Sequence, residues 1–164
     1  MPGTLFVVAT PIGNLEDLTF RALRTLQQVQ LIAAEDTRRT AKLLAHYAIR
    51  KPMLSLREHN ERRESNRVIA RLRAGDSVAL VSDAGTPGIA DPGARLVNAV
   101  RSADLSVVPI PGASAVATAL SVSGYLGSEF VFMGFPPVSG SARTDWFHRL
   151  RTEDRAVVFF ESTH

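Results

Sequence analysis

The stretch V78-A-L-V-S-D-A-G-T-P-G-I-A-D-P-G93 decides the fold. Its first four residues are apolar without alternation, as in a strand buried on both faces of a sheet. They run directly into 12 residues, Ser82 to Gly93, that hold three glycines and two prolines. That is too long for a minimal strand-to-helix turn. Beyond it, Leu96, Val97 and Val100 mark one face of a helix over Gly93–Ala103. The pattern repeats outward in both directions. Strands are predicted at Leu5–Ala9, Leu31–Ala34, Met53–Leu56, Ser77–Val81 and Ser106–Ile110. Helical periodicity fills the gaps at Thr19–Val29, Thr37–Tyr47 and Asn60–Ala74, the last stopped by Gly75. Strands alternating with helices predict an α/β fold with a parallel sheet and helices on both faces, a three-layer α/β/α domain over residues 1–122.

Composition narrows the function classes. The chain has 164 residues and no cysteine, which removes thiol nucleophiles, disulfides and Cys-zinc sites together. No apolar stretch is long enough for a membrane span and the first residues lack a signal-peptide pattern, so a soluble, cytoplasmic chain is expected. The formal charge of +3 is local: Arg57–Arg73 carries six arginines and three glutamates, while the remainder balances 13 basic against 13 acidic residues. Val68, Ile69 and Leu72 form the apolar stripe of this segment, which turns Arg62, Arg63 and Arg67 toward water.

Loops at the carboxyl edge of such a sheet bind ligands. Three of them carry candidate residues. The first, ATPIGNLEDLT, holds Pro11 and Gly13 and matches neither the dinucleotide nor the Walker phosphate-binding pattern. The second, AAEDTRRT, places Glu35 and Asp36 beside Arg38 and Arg39; capping of the next helix explains one acid better than two. The third is the Ser82–Gly93 loop with Asp83 and Asp91, where glycines permit close backbone approach and prolines stiffen the chain. After the fifth strand, PIPGASAVATALS begins a helix of small residues, suited to tight packing or to a nearby cofactor. His59 in EHNE is a candidate base as readily as a structural residue. No metal-ligand spacing is present, and none is expected.

Eight of the 11 aromatic residues lie beyond Gly124, which signals a second core over 123–164. A strand at Phe130–Met133, a loop from Phe135 to Ala142, a helix at Thr144–Arg151 and a strand at Ala156–Phe160 are too little to cover a sheet. The expectation is an incomplete second domain in a fragment of a longer protein.

Taken in order, the blocks VATPIGNLEDLTFRAL, LIAAEDTRRT, EHNE, VALVSDAGTPGIADPGARLV, VVPIPGASAVATAL, FVFMGFPP and VVFFEST-H resemble the bacterial 16S rRNA ribose 2′-O-methyltransferases, within the tetrapyrrole methylase superfamily. The likeness covers nearly the whole chain. Two departures are Ala90, where the family usually has Ser, and Leu56-Arg57 ahead of EHNE. The resemblance implies an S-adenosylmethionine cofactor in a cleft between this α/β domain and a carboxyl-terminal domain with a mixed sheet. It implies a homodimer acting on a cytidine ribose of 16S rRNA in the 30S subunit, and a chain about a hundred residues longer.

Carried onto this sequence, the cofactor residues are Pro11, Gly13, Asp83, Ala84, Gly85, Ile89, Ala90, Ser114 and Ala115, with Met133, Gly134 and Phe135 from the second domain. Candidate bases are Glu35, Asp36 and His59, and candidate RNA contacts are Arg38, Arg62, Arg63 and Arg67. Two other outcomes are weighed: a methylase of the same superfamily with a small tetrapyrrole-like substrate, and a folded fragment that lacks activity because its second domain cannot hold cofactor.

Overall fold

A computed structural model describes residues 1–162. Two compact units are present, Met1–Ser114 and a second starting at Ala115. The composition shift puts the boundary after Val122, at the far end of the helix that opens the second unit.

In the first unit, β1 (Thr4–Val8), β2 (Leu31–Ala34), β3 (Met53–Ser55), β4 (Val78–Val81) and β5 (Ser106–Ile110) form a sheet in the order β3-β2-β4-β1-β5. Every pairing is parallel. Between the strands lie α1 (Phe20–Gln28), α2 (Thr37–His46), α3 (Glu61–Arg73) and α4 (Ala94–Ser102). Successive strand side chains point to opposite faces, and β4 divides accordingly. Ala79 and Val81 pack with Ala22 and Leu26 of α1 and Leu44 of α2. Val78 and Leu80 pack with Val68 and Leu72 of α3 and Leu96 and Val100 of α4. All four β4 residues are buried, which is why VALV shows no alternation.

Local chemistry sets the helix ends. Thr19 caps α1 by accepting from the Ala22 N–H at 3.0 Å, and Asp36 caps α2 by accepting from the Arg38 N–H at 2.8 Å. Helix α3 stops in a Schellman turn: Gly75 has φ +97°, its N–H donates to Leu72 O, and Asp76 N–H donates to Arg71 O. A short 3₁₀ turn at Leu15–Asp17, which the periodicity does not reveal, leads into α1.

The second unit holds α5 (Ala115–Val122), β6 (Phe130–Phe132), α6 (Gly140–Arg151) and β7 (Ala156–Val158). Strands β6 and β7 pair in parallel. Of the mixed sheet that the resemblance implies, the described residues contain this parallel pair. Helix α6 begins a turn earlier than Thr144, with the Arg143 guanidinium donating to Pro137 O at 2.9 Å across the preceding loop. Trp146 is buried, edge-on to Phe147 and Phe159. Strand β7 ends at Val158 rather than Phe160; Phe160 donates its N–H to Gly134 O and packs its ring against Phe132 and Phe135.

Candidate functional site

Strands β1 and β4 are neighbours, yet the chain leaves β1 toward the α1 face and β4 toward the α4 face. A crevice opens where adjacent connections diverge in this way. The loop after β4 fills its floor. Thr10 and Gly85 exchange two backbone hydrogen bonds of 2.9 Å, joining this loop to the one after β1. The Thr10 hydroxyl donates to Ser82 O at 3.2 Å, and the Thr86 hydroxyl donates to Ala113 O at 3.3 Å, drawing in the loop after β5. Gly85 is buried with φ +78°, and a Cβ there would stand 3.4 Å from Ile12 Cγ2 and 3.7 Å from Ala113 O. Three loops thus meet at a residue without a side chain, next to the exposed Ala84; Ile89, in the same loop, is also exposed.

The second loop joins through acids. Asp83 Oδ1 accepts from the Asp36 N–H at 3.0 Å, and Asp83 Oδ2 stands 3.5 Å from the Arg39 guanidinium. The Asp83 N–H donates in turn to Glu35 Oε2 at 3.3 Å. Burial raises the Glu35 pKa above the ordinary 4.5; the Asp83 N–H opposes that, and the nearby charges of Asp83 and Asp91 add to it. Asp91 is raised too, chiefly by burial, against a hydrogen bond with the Ser82 side chain. Asp36 moves the other way. Its hydrogen bonds from the Arg38 side chain and N–H hold it well below the carboxylate range.

The expected residues therefore fall into distinct groups. Pro11, Asp83, Gly85, Ile89 and Ala90 belong to the two loops meeting at the β1–β4 crevice, and Glu35 adjoins them through Asp83. Gly13 is exposed on the approach to α1, and Ser114 ends the first unit. Ala115, Met133, Gly134 and Phe135 belong to the second unit, where Met133 N–H donates to Val158 O at 2.9 Å. His59 is exposed in the turn before α3. Arg38 is an exposed side chain tied back to Asp36 at 2.9 Å. Arg63 and Arg67 both pair with Glu64, a carboxylate with 2% of its side chain exposed, at 2.7 and 3.0 Å. Arg62 is exposed on the same helix.

Two features of this edge lie beyond the reach of local sequence reasoning. Glu61, 4% exposed, points from the start of α3 to the start of α4, a partnership 32 residues away that no local pattern announces. Asp91 carries its raised proton affinity only because the fold half-buries it near Asp83. Among the described residues no group of acids and histidines has the arrangement of a metal site, and no helix is long and apolar enough to cross a membrane.

Residues 4–164 match the family described as Tetrapyrrole (Corrin/Porphyrin) Methylases. The chain belongs to the tetrapyrrole methylase family. Solved structures agree on the fold: a diphthine synthase superposes with TM-score 0.77 at 16% identity, covering 99% of this chain and 65% of its own. A uroporphyrin-III-C-methyltransferase from Thermus thermophilus gives TM-score 0.65 at 22% identity, over 82% of this chain and 61% of its own. Curated relatives are much nearer in sequence. The protein named Ribosomal RNA small subunit methyltransferase I is 51% identical in Haemophilus influenzae over 164 residues, all of this chain and 58% of that protein. Its namesake in Xylella fastidiosa is 53% identical over 163 residues, 99% of this chain and 60% of its own length. The chain thus spans about three fifths of the length of the curated relatives it matches.

Proposed function

We propose that this chain supplies the S-adenosylmethionine-binding part of a methyltransferase that modifies a cytidine ribose 2′-OH of 16S rRNA in the 30S subunit, in the cytoplasm and as a homodimer. The observation that carries the reading is identity near 50% along the full chain with relatives named for small-subunit rRNA methylation. Residues 123–164 would then begin the second domain, and Met133, Gly134 and Phe135 would close on the cofactor from there.

The crevice at β1 and β4 fits such a cofactor. Its floor is backbone and small side chains, with Gly85 at φ +78°, a backbone conformation that residues with a side chain rarely adopt. When bound, the cofactor supplies a methyl group on a sulfonium, transferable by in-line attack. The chain's own task is to hold that line, since fixing reacting atoms in an attack geometry supplies much of a barrier's reduction. Pro11, Gly13, Ala84, Gly85, Ile89, Ala90, Ser114 and Ala115 would line the cofactor. Asp83 shapes the site from behind, because both of its oxygens are engaged by Asp36 and Arg39.

Glu35 is the base we favour for orienting or accepting the ribose hydroxyl proton: its half-buried carboxylate binds a proton more tightly than usual. Asp36 binds one too weakly for that work, and His59 is the remaining candidate. Arg38, Arg62, Arg63 and Arg67 would meet RNA phosphates, giving affinity that falls as salt rises.

The deciding experiment is transfer of a labelled methyl group to unmodified 30S subunits, using the chain extended to the length of its relatives. Incorporation at a cytidine ribose is the expected result, and incorporation into a porphyrinoid instead would reject the substrate assignment. Glu35→Gln should lower the transfer rate by about 10²-fold while cofactor affinity, read by calorimetric titration, stays near wild type. An unchanged rate would move the base elsewhere.

A further inference from the structure

We infer that Glu61 is a specificity-determining residue whose buried carboxylate occupies the anion seat at the N-terminus of α4, so that the β4–α4 loop refuses phosphate-bearing ligands at that end. Glu61 Oε1 accepts from three backbone N–H groups, those of Gly93 at 3.0 Å, Arg95 at 3.0 Å and Leu96 at 3.1 Å. A helix that starts after a glycine-rich loop at the carboxyl edge of a parallel sheet is the usual seat of a cofactor phosphate, bound by these same groups. Here the seat is filled from within the protein.

The filling carboxylate is not an ordinary cap. The capping position of α4 is Gly93, which has no side chain, sits at φ +130° and leaves its amide to Glu61. The acid comes instead from the first turn of α3 and is 4% exposed. It brings a full negative charge against the partial positive charge of the helix end. The mouth of the seat is a cavity of about 300 Å³ lined by Glu58, Glu61, Asp91 and Arg95, among others, three carboxylates against one guanidinium. A phosphate entering it would find the amides taken and the surrounding charge opposed. An uncharged or cationic ligand would meet no such barrier. What this exclusion accomplishes rests on the reading of the edge as a cofactor site; the occupation of the helix end does not.

Two measurements test it on the chain as it stands. In the wild type, titration with inorganic phosphate should leave the amide resonances of Gly93, Arg95 and Leu96 unmoved; saturable shifts there would overturn the proposal. Glu61→Ala empties the seat, so sulfate should raise its Tm over sodium chloride of matched ionic strength saturably, and by more than the general salting-out gain that the wild type shows. If Glu61→Ala is unfolded without salt, Glu61→Gln against the wild type carries the same comparison. A sulfate gain over chloride no larger than the wild type's would overturn the proposal. Glu61→Gln keeps an acceptor for the three amides without the charge, and should fold and show a smaller sulfate response than Glu61→Ala. Neither arm uses S-adenosylmethionine or RNA, so its failure leaves the methyl-transfer reading standing, and failed methyl transfer leaves this result intact.

Discussion

Gly93 joins the ligand loop to α4 under two constraints at once. Its φ of +130° lies where residues with a side chain are strained, and a Cβ would stand 2.8 Å from Leu80 Cδ2 in the core. Gly93→Ala should therefore cost roughly 1–3 kcal/mol in urea denaturation, and a neutral result would mean that Leu80 shifts freely. Glu35 makes a prediction with a sign. Burial raises its folded pKa above the unfolded value near 4.5, so across that interval the native state binds more protons than the unfolded chain. Its contribution to stability accordingly falls as pH rises through the window. Glu35→Gln should remove that slope and give a Tm at neutral pH equal to or above wild type. A variant that steepens the slope would show that the Asp83 N–H, not burial, dominates. Sequence reasoning placed Glu35, Asp83 and Gly85 in loops after strands because a loop's place after a strand is local information. It missed the direction of the Glu35 shift, which depends first on burial by the fold and then on Asp83 and Asp91 arriving from the loop after β4.

The element whose role changes most between sequence and structure is α3. Its arginines look alike in a list of charges, and its periodicity faces them all to water. In the fold, Arg63 and Arg67 are committed to a buried Glu64 while Arg62 is exposed without that tie. Exposed ion pairs contribute little, but removing both partners leaves a buried carboxylate unpaired. Arg63→Ala with Arg67→Ala should lower stability by about 1–3 kcal/mol, measured by denaturant titration. Arg62→Glu should leave stability within about 0.5 kcal/mol and, on the proposed function, weaken rRNA binding and flatten its salt dependence. Loss of stability in Arg62→Glu would show that the charge helps hold the helix. A triple charge reversal of all three would mix the two effects, so the single change is the informative one.

At the scale of the whole molecule, the chain contains one tryptophan, Trp146, buried in the second unit. Its fluorescence reports that unit, whereas far-UV circular dichroism is dominated by the larger first unit with its five-stranded sheet. The first unit closes two apolar layers around that sheet, while Val122, Leu126, Phe130, Phe135 and Val138 of the second stay exposed. In urea, the tryptophan transition should come at lower concentration than the dichroism transition; coincident transitions would show one cooperative unit.

Element order in the first unit, its strand and α-helix limits to within a residue or two, and the loops at the carboxyl edge of its sheet were all legible in the sequence, whereas α6 starts four residues before the expected position. Each is written in short-range patterns: apolar runs for buried strands, three-to-four spacing for helices, glycine and proline where the chain turns. What only the tertiary structure decided are the partnerships across that order. The sequence β3-β2-β4-β1-β5 of strands brings Glu35 beside Asp83 and divides the helices between two faces. Packing α3 beside α4 then delivers Glu61 to a helix end 32 residues away. Such contacts depend on how buried surfaces match in space, and no local period of the chain encodes them.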